Sequence, residues 1–292
     1  MYNECITAFH HIIVNTMSSL TFSLVQTNLF WEDKEANLRM LEQKIFGIQE
    51  KTEVVVLPEM FTTGFSMQPE KFAEPMDGEG MKWMKRISAE KRVVLTGSMM
   101  IAEAGNFYNR LIWMLPNGQY GYYDKRHLFA NGKENNHYQP GHKRLITSVK
   151  GWKIHLQICY DLRFPVWARQ SHQAVENNDT GEAQNANAEL EYDILLYVAN
   201  WPEPRNHAWK TLLQARAVEN QCFAIGVNRV GTDGNGLYHS GDTLLADPMG
   251  HVVYHKAHDE EIKTLTLERS QLDDVRMRFP FYKDADPFML LH

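Results

Sequence analysis

Apolar and polar residues alternate along the chain with two different periods. A period of two over 20–27 predicts a half-buried strand, and a period near 3.6 over 32–50 predicts an amphipathic helix. The β-branched run at 53–57 predicts a buried strand that ends at Pro58. The remaining predicted elements are helices over 80–91 and 206–219 and strands over 92–100, 107–115, 119–125, 152–159, 193–198, 222–229, 241–246, 251–255 and 262–267.

Turn residues indicate how these elements are connected. A Pro-Asn-Gly sequence at 116–118 separates two strands, and its Asn-Gly pair is expected to supply the positive backbone angles of a tight hairpin turn. Turns are also predicted at the glycine-rich segment 231–236 and at 247–250. The strand that ends at Cys159 leads into a helix with Pro165 in its first turn. Hairpins combined with helical crossovers predict mixed sheets in one α/β domain.

Two segments differ from this pattern. The apolar stretch within residues 1–16 is too short for a secretory signal, and clear strand patterning begins only at Leu20. We interpret residues 1–16 as a non-catalytic extension that precedes a single catalytic domain over 17–292. Residues 176–191, with the sequence ENNDTGEAQNANAELE, are polar and acidic and cannot form a core face. They predict an exposed loop inserted into that domain.

Composition narrows the class of protein. The 292 residues are 43% hydrophobic and carry a formal net charge of -6. Because there is no long basic run, neither nucleic acid nor an anionic membrane surface is the expected partner. No apolar run approaches the roughly 20 residues that cross a bilayer. The three cysteines include no C-x-x-C pair, which favours a reducing compartment and predicts a soluble cytoplasmic protein.

Three polar residues stand where predicted strands end, and their chemistry is complementary. Glu59 follows the strand at 53–57, Lys125 closes the hairpin, and Cys159 ends the strand at 152–159. A rigid scaffold can direct side chains at strand ends into a shared crevice. A carboxylate can take the proton of a thiol and return it to a leaving amine, and an ammonium can stabilise an oxyanion. Together these residues predict an amide hydrolase.

Each of these residues also has an ordinary structural interpretation. A lone cysteine after an apolar strand is commonly a buried hydrophobe, Glu59 could cap a turn, and Lys125 could be a surface charge. Cys222 lies within an apolar strand and is expected in the core. The 13 histidines show no paired metal-ligand spacing, and no dinucleotide, P-loop or serine-hydrolase motif occurs. The motifs around the three residues favour the catalytic interpretation.

Three motifs occur in order along the chain: LPEMFTTGF at 57–65, YDKRHLF at 123–129 and LQICYDLRFP at 156–165. Together they closely resemble the three signatures of the nitrilase superfamily of carbon–nitrogen hydrolases. The resemblance continues through ANWP at 199–202 and QARAVENQCFAIGVNRVG at 214–231. It extends from the first predicted strand to the end of the chain. Three ordered motifs of this length make the resemblance highly specific.

The resemblance implies a role for each motif residue. Glu59 is expected to act as general base, Lys125 to stabilise the oxyanion, and Cys159 to form the acyl intermediate. The second glutamate of the family falls on Glu134, within GKENNHY, where it is expected to hold Lys125 and to help orient the substrate. Tyr160 is expected to contribute its backbone N–H to the oxyanion hole.

The same resemblance implies a fold, an assembly and a cofactor requirement. Members of the superfamily form a four-layer α-β-β-α sandwich, in which two sheets pack face to face and the helices lie outside. They usually pair so that the sandwiches of two subunits stack, and a homodimer is therefore expected. The reaction on a small-molecule amide is expected to need no metal ion and no organic cofactor.

Within the superfamily, the motifs ANWP, RAVENQ and GVNRVG resemble those of the bacterial ω-amidases. Those enzymes hydrolyse the side-chain amide of α-ketoglutaramate or α-ketosuccinamate. A substrate carboxylate implies a cationic end to the pocket, for which Arg163, Arg205 and Arg229 are candidates. Each of them could equally pair structurally with a carboxylate. Trp201 is a candidate pocket wall, with core packing as the alternative. The insertion at 176–191 could border the active-site mouth and affect substrate choice.

Other functions are also compatible with the motifs. The same three residues could hydrolyse a nitrile, a carbamoylated amine or another aliphatic amide. A non-catalytic interaction module would be the natural interpretation if Glu59, Lys125 or Cys159 were missing, but all three are present. A redox-sensing thiol protein would need an exposed resolving cysteine, and Cys5 lies in the N-terminal extension.

Overall fold

The computed structural model describes residues 19–170, 190–286 and 288–290, and within these ranges the chain forms thirteen strands and six α-helices. The strands are β1 (Ser19–Gln26), β2 (Val54–Val56), β3 (Val94–Glu103), β4 (Asn106–Met114), β5 (Tyr120–Asp124), β6 (Ile146–Val149), β7 (Trp152–Ile158), β8 (Ile194–Ala199), β9 (Phe223–Asn228), β10 (Val230–Thr232), β11 (Tyr238–Ala246), β12 (Val252–Ala257) and β13 (Glu261–Glu268). The helices are α1 (Lys34–Phe46), α2 (Pro69–Phe72), α3 (Glu79–Lys91), α4 (Pro165–Ala168), α5 (Asn206–Asn220) and α6 (Arg269–Arg278).

The strands form two mixed sheets. In the first sheet the order is β13-β1-β2-β3-β4-β5, with β1, β2 and β3 parallel and the outer pairs antiparallel. In the second sheet the order is β10-β11-β9-β8-β7-β6, β12 pairs with β11, and β7, β8 and β9 are parallel. Parallel neighbours require crossover connections, and α1, α3 and α5 lie in three of them. The prediction of mixed sheets is confirmed.

Alternation of side chains along the strands produces the layers. Leu20, Phe22 and Leu24 of β1 lie in the core between the two sheets, whereas Val25 belongs to the core under the helices. The three valines of β2 divide in the same way. Helices α1 and α3 cover the outer face of the first sheet, and α5 packs on β9 and β11 of the second. The fold is therefore the expected four-layer α-β-β-α sandwich.

The predicted hairpin is present, but its turn differs from the expectation. Strands β4 and β5 pair antiparallel, and the Gly118 N–H donates to the Leu115 carbonyl oxygen over 2.9 Å. Gly118 has a φ of 82°, whereas Asn117 is not among the described residues with positive φ. The expected positive angle at Asn117 is therefore wrong. Pro116 fixes a negative φ within the turn, and in this longer loop the glycine provides the left-handed residue.

Some elements have no counterpart in the sequence prediction, namely β6, β10, α2 and α6. Strands β6 and β10 are short and lie at sheet edges, and β10 occupies part of the segment 231–236 that predicted only a turn. Helix α6 buries only Leu272, so it has no apolar stripe that periodicity could reveal. The helix expected after the strand β7 is a 3₁₀ turn, Cys159–Arg163, followed by the four-residue α4 with Pro165 at its start.

Two sequence predictions concern segments that are mostly not described. The N-terminal extension at 1–16 lies outside the described residues, and so does the insertion at 176–191 apart from its last two residues. Of these two, Glu191 forms an ion pair with Arg144, with 3.2 Å between Oε2 and Nη2. Among the helices of the described part of the chain, none is long and apolar enough to cross a membrane.

Gly226 allows α5 to lie directly against β9. A Cβ atom at this glycine would approach the side chains of Leu213 and Trp209 to 2.5 and 2.6 Å. We expect Gly226→Ala to lower the free energy of unfolding by about 1–3 kcal/mol, the usual cost of overpacking a core, as measured by urea denaturation. Gly121→Ala is the matched control, since its Cβ would have no neighbour closer than 3.4 Å. Equal losses in both variants would contradict the packing argument.

Candidate active site

The ends of β2, β5 and β7 meet at one place in the sandwich, where Glu59, Lys125 and Cys159 lie together. Glu59 and Lys125 follow strands of the first sheet, and Cys159 follows a strand of the second. Lys125 Nζ donates to Glu59 Oε1 over 2.9 Å, and the Glu59 carboxylate lies near enough to the Cys159 thiol to raise its pKa. All three residues are buried, with Cys159 9% exposed. Residues that are distant in sequence thus form one cluster.

Lys125 bridges two carboxylates. Its Nζ lies 3.0 and 2.9 Å from the two side-chain oxygens of Glu134, so the expected contact with this glutamate is present. Glu134 is fully buried, and its Oε2 accepts a further hydrogen bond from the Phe129 backbone N–H over 2.7 Å. Lys133, immediately before it, has a φ of 61°. This left-handed residue reverses the chain direction between two short 3₁₀ turns and so directs Glu134 inward.

Cys159 lies at a sharp turn directly after β7. Its φ is 45°, which is uncommon for a residue that carries a side chain. Asp161 holds this turn, since its Oδ2 accepts from the Ile158 backbone N–H over 3.0 Å and from the Tyr123 hydroxyl over 2.8 Å. Its Oδ1 accepts from the backbone N–H and from Nδ1 of His127 over 2.9 and 2.8 Å. One buried carboxylate thus ties the cysteine turn to the end of β5.

Two asparagines without a sequence-based prediction complete the contacts of Glu59. Asn109 Nδ2 donates to Glu59 Oε1 over 2.8 Å. The Asn200 backbone N–H donates to Glu59 Oε2 over 2.7 Å, and its Nδ2 donates to the Glu59 carbonyl oxygen over 2.6 Å. Asn109 shares one face of β4 with the core residues Leu111 and Trp113. A polar residue at a core-facing position was therefore the signal that could have identified it.

Burial and mutual contact shift the ionisation of the cluster. Burial opposes the charge of Lys125, but the carboxylates of Glu134 and Glu59 together raise its pKa, and the ammonium stays protonated. Burial raises the pKa of Glu134 against the opposing effect of Lys125. Burial also raises the pKa of the Cys159 thiol well above its usual value, and the charge of Glu59 adds to the increase. The resting thiol is therefore neutral and needs a base to become a nucleophile.

A small pocket opens onto Cys159. Its volume is about 180 Å³, below the roughly 300–1,000 Å³ typical of drug-sized ligands, and it therefore suits a molecule of few heavy atoms. Trp201 lines the pocket and is also buried, with its Nε1 donating to the Arg205 carbonyl oxygen over 2.8 Å. It therefore serves both as pocket wall and as core. Tyr160 lines the pocket as well, at the start of the 3₁₀ turn, where backbone N–H groups lack acceptors within the turn.

Two of the three candidate arginines line the pocket. Arg163 and Arg205 stand on its wall, each with its guanidinium over an aromatic ring, 5.0 and 5.1 Å from the ring centroids. Neither forms an ion pair with another residue in the described part of the chain. Arg229 is fully buried and does not line the pocket; its Nη2 donates to Asn28 Oδ1 over 2.7 Å. Burial lowers the pKa of Arg229 to about 10. Arg229 is therefore a structural residue.

Two other titratable side chains, His239 and Cys222, lie in different surroundings. His239 lines the pocket, and burial, with the charge of Arg229, lowers its pKa to about 4, so its imidazole is neutral. Cys222 is fully buried in the core, as expected. Within the described ranges, no group of three or more His, Cys, Asp or Glu side chains is placed to hold a metal ion.

One sequence family covers most of the chain, including the whole cluster around Cys159. The profile of the carbon-nitrogen hydrolase family matches residues 21–277. The chain belongs to the carbon-nitrogen hydrolase family. This hydrolase is 38% identical to omega-amidase YafV of Escherichia coli K12, over 94% of this chain and 100% of that protein. It is 28% identical to 2-oxoglutaramate amidase of Bacillus subtilis, over 90% of this chain and 96% of that protein.

A solved structure extends the similarity to three dimensions. The hydrolase is similar to a CN-hydrolase superfamily protein from Xanthomonas campestris, with a TM-score of 0.88 and 40% sequence identity. The match covers 94% of this chain and 100% of the other. The active site of the Xanthomonas protein carries an arsenic adduct. The four-layer architecture described above is therefore that of the family.

Asp161 allows a test of how the cysteine turn is held. It is fully buried, and its carboxylate accepts four hydrogen bonds. Asp161→Asn removes the charge and replaces one accepting oxygen by an NH₂ group, so we expect the free energy of unfolding to fall by about 2–3 kcal/mol in urea denaturation. Asp273→Asn, at an exposed position of α6, should change it by less than about 0.5 kcal/mol. An equally small change at Asp161 would contradict this role.

Proposed function

We propose that this hydrolase is an ω-amidase that cleaves the side-chain amide of a small α-keto acid, α-ketoglutaramate or α-ketosuccinamate. The products are a dicarboxylate and ammonia. The similarity to an omega-amidase and to a 2-oxoglutaramate amidase supports this substrate class. The observation that carries the proposal is the Cys159 thiol, which lies near the Glu59 carboxylate and lines a small pocket that has two arginines on its wall.

The first half-reaction transfers the acyl group to the enzyme. Glu59 takes the thiol proton as the Cys159 sulfur attacks the amide carbon and a C–S bond forms. When the tetrahedral intermediate collapses, Glu59 gives this proton to the nitrogen, the C–N bond breaks and ammonia leaves. The proton transfer is needed because unprotonated nitrogen is a very poor leaving group. A thioester remains on Cys159.

Water completes the reaction in the second half. Glu59, again ionised, takes a proton from a water molecule as the water oxygen attacks the thioester carbon. The second tetrahedral intermediate collapses with cleavage of the C–S bond, and the proton passes to the Cys159 sulfur. The free thiol and a carboxylic acid result, and the acid gives its proton to ammonia or to solvent as it becomes the carboxylate product. Glu59 thus serves both halves, and the scheme uses no metal ion or organic cofactor.

Lys125 and the Tyr160 backbone N–H are assigned to stabilise the oxyanion of both intermediates. Lys125 lines the pocket and is held protonated, so its positive charge is in place before the reaction begins. Each donor of this kind typically contributes about 10²–10³ in rate. Glu134 fixes the ammonium with both carboxylate oxygens, 3.0 and 2.9 Å from Nζ, and thereby limits its reorganisation. Glu134 is thus assigned to orient Lys125.

The carboxylate end of the substrate is assigned to Arg163 and Arg205. Neither guanidinium has a carboxylate partner among the described residues, and the substrate would supply the counter-charge. Contact with aromatic rings at 5.0 and 5.1 Å steadies both guanidinium groups through cation–π attraction. Trp201 is assigned as the wall along the substrate chain. The keto end then lies among donors and the amide end lies at Cys159.

The hydrolase is further proposed to act as a homodimer in the cytoplasm. Both Cys159 and Cys222 are free thiols, which suits a reducing compartment. The dimer follows from the usual pairing in the superfamily. It is supported by Met277, Phe279 and Phe281, which are 73, 40 and 61% exposed near the C-terminal end. Neighbouring exposed apolar side chains are typical of surfaces that another protein covers.

The assignment of the nucleophile predicts different outcomes for the two buried cysteines. Cys159→Ala should abolish ammonia release while the circular dichroism spectrum stays that of the native protein. Cys159→Ser should also be severely impaired, because a hydroxyl is far less acidic than a thiol and Glu59 is too weak a base to compensate. Cys222→Ala is the control and should retain activity, since Cys222 lies in the core. Normal turnover by Cys159→Ala would disprove the mechanism.

Substrate choice follows from the charge of the pocket wall. Glutamine has the length and amide of α-ketoglutaramate but carries an ammonium in place of the ketone. This ammonium would enter a pocket wall that carries the like charges of Arg163 and Arg205, with Asp233 as the opposing carboxylate. A mispaired buried polar group costs about 1–3 kcal/mol, which at about 1.4 kcal/mol per tenfold gives a 10- to 100-fold effect. We therefore expect kcat/KM for the two keto amides to exceed that for glutamine and asparagine by at least this factor.

An ammonia-release assay over a panel of substrates measures this preference. The panel contains α-ketoglutaramate, α-ketosuccinamate, glutamine, asparagine, an uncharged aliphatic amide, an N-carbamoyl amine and an aliphatic nitrile. As the matched variant, Arg163→Gln should raise KM for the keto amides and leave KM for the uncharged amide nearly unchanged. Equal turnover of the keto and amino forms would exclude the ω-amidase assignment, while a Cys159-dependent amidase would still stand.

A further inference from the structure

A polar side chain lies in the core beside the catalytic cluster, at a position where the strand pattern predicts an apolar one. Asn109 is on β4, on the same face as Leu111 and Trp113, which pack between the two sheets. It is fully buried. A buried amide destabilises a protein unless it is hydrogen-bonded, so the partners of Asn109 indicate why it is there.

Asn109 donates from one nitrogen to two carboxylates. Its Nδ2 lies 2.8 Å from Glu59 Oε1 and 3.3 Å from Glu134 Oε1. Lys125 Nζ lies 2.9 Å from the same oxygen of Glu59 and 3.0 Å from the same oxygen of Glu134. The amide and the ammonium therefore contact the same two oxygens. The neutral Asn109 amide thus assists the Lys125 ammonium in holding the two buried carboxylates together.

The orientation of the Asn109 amide follows from these charges. Its Nδ2 has two acceptors, whereas its Oδ1 has no hydrogen-bond donor among the described residues. The reversed amide would direct its carbonyl oxygen at two carboxylates and be repelled. A residue selected for shape alone would be apolar here, because a buried carbonyl oxygen without a donor lowers stability. The NH₂ group is therefore the functional part of this side chain.

We propose that Asn109 is a positioning residue, which holds the Glu59 carboxylate toward the Cys159 thiol. This inference rests on the proposed role of Glu59 as the base. Glu59 Oε1 is bound by Asn109 and Lys125, and its Oε2 is bound by the Asn200 N–H over 2.7 Å. These three donors come from different elements and together prevent rotation of the carboxylate. Asn109 is the neutral side chain among them, and its replacement by another neutral residue leaves the formal charge of the cluster unchanged.

Loss of this donor has a pH effect of defined sign. A hydrogen bond to an ionised carboxylate favours the ionised form, and its removal therefore makes protonation easier. The titratable groups that interact electrostatically with Glu59 are Lys125, Glu134, Cys159 and Tyr138. Among these four, Lys125 alone is cationic. Since Glu59 acts as base only when it is ionised, the acid limb of kcat/KM moves to higher pH when the donor is lost.

The test compares Asn109→Leu and Asn109→Asp with the wild-type protein over a range of pH. The leucine has a similar size without a donor, and the aspartate has the same shape with an added charge. Both retain the backbone hydrogen bond of 3.0 Å from the Lys125 N–H to the carbonyl oxygen at position 109. We expect Asn109→Leu to lower kcat about 10- to 100-fold and to move the acid limb of kcat/KM to higher pH. Asn109→Asp should be more severely affected.

Thr96→Val is the matched control for loss of a buried polar atom. Thr96 lies on the first sheet, and its Oγ1 is buried without a hydrogen-bond partner in the described structure. This variant should leave the pH profile unchanged. An equal loss of activity at every pH in Asn109→Leu, without a shift of the acid limb, would overturn the proposal. Circular dichroism establishes folding, and Asn109→Ser repeats the test if the leucine variant does not fold.

A measurement that needs no substrate, the alkylation rate of Cys159, tests the role of Asn109 independently of the proposed function. The rate at which iodoacetamide alkylates Cys159, located by mass spectrometry, also depends on removal of the thiol proton. If the wild-type protein releases ammonia from none of the amides, the proposed function fails, but the alkylation profile still tests Asn109. The proposal requires this profile to move to higher pH in Asn109→Leu. A profile identical to that of the wild-type protein would overturn it.

Discussion

The buried ammonium of Lys125 holds the site together, since it lies between two carboxylates that would otherwise repel each other. Its Nζ is 2.9 Å from Glu59 Oε1 and at most 3.0 Å from both oxygens of Glu134. Burial opposes the charge of the ammonium, and the charges of the two carboxylates outweigh this effect and raise the pKa of Lys125. Removal of one partner leaves an uncompensated buried charge, which is strongly destabilising. The three side chains therefore form a single electrostatic unit.

This unit can act on the thiol only if the two sheets are docked closely. Glu59 follows a strand of the first sheet, and Asn200 and Cys159 follow strands of the second. Two hydrogen bonds of 2.7 and 2.6 Å between Glu59 and Asn200 join the sheets at this point. The next residue, Trp201, is held by the Asn228 side chain. The Trp201 backbone N–H donates to Asn228 Oδ1, and Asn228 Nδ2 donates to the Trp201 carbonyl oxygen, each over 2.8 Å. Packing between the sheets thus sets the distance between carboxylate and thiol.

The pocket combines two electrostatic environments. At its inner end Lys125 is balanced by carboxylates and the Cys159 thiol is neutral, because burial raises the pKa of the thiol. On its wall Arg163 and Arg205 have no carboxylate partner in the described ranges. Under the proposed function, an anionic substrate binds the arginines with one end and presents an uncharged amide at the other. Substrate binding and reaction then occur at separate places. The negative charge of the substrate carboxylate lies at the arginines and away from the thiol, whose deprotonation it would otherwise oppose.

The sequence by itself determined the alternating strands, the main helices and three of the residues in the cluster. These features depend on local periodicity and on motifs such as those around Glu59 and Cys159. Both signals can be recognised within short segments of the sequence. Apart from Glu134, which the family resemblance indicated, the partners of the cluster were decided by the tertiary structure alone. Asn109 stands out in the sequence only as a polar residue in an apolar pattern, which does not reveal its partners. The partners of Asn109, Asn200 and Asp161 include residues distant in sequence. Their roles depend on sheet order, which periodicity does not encode, because hydrophobic burial is non-directional whereas hydrogen bonds require exact partners.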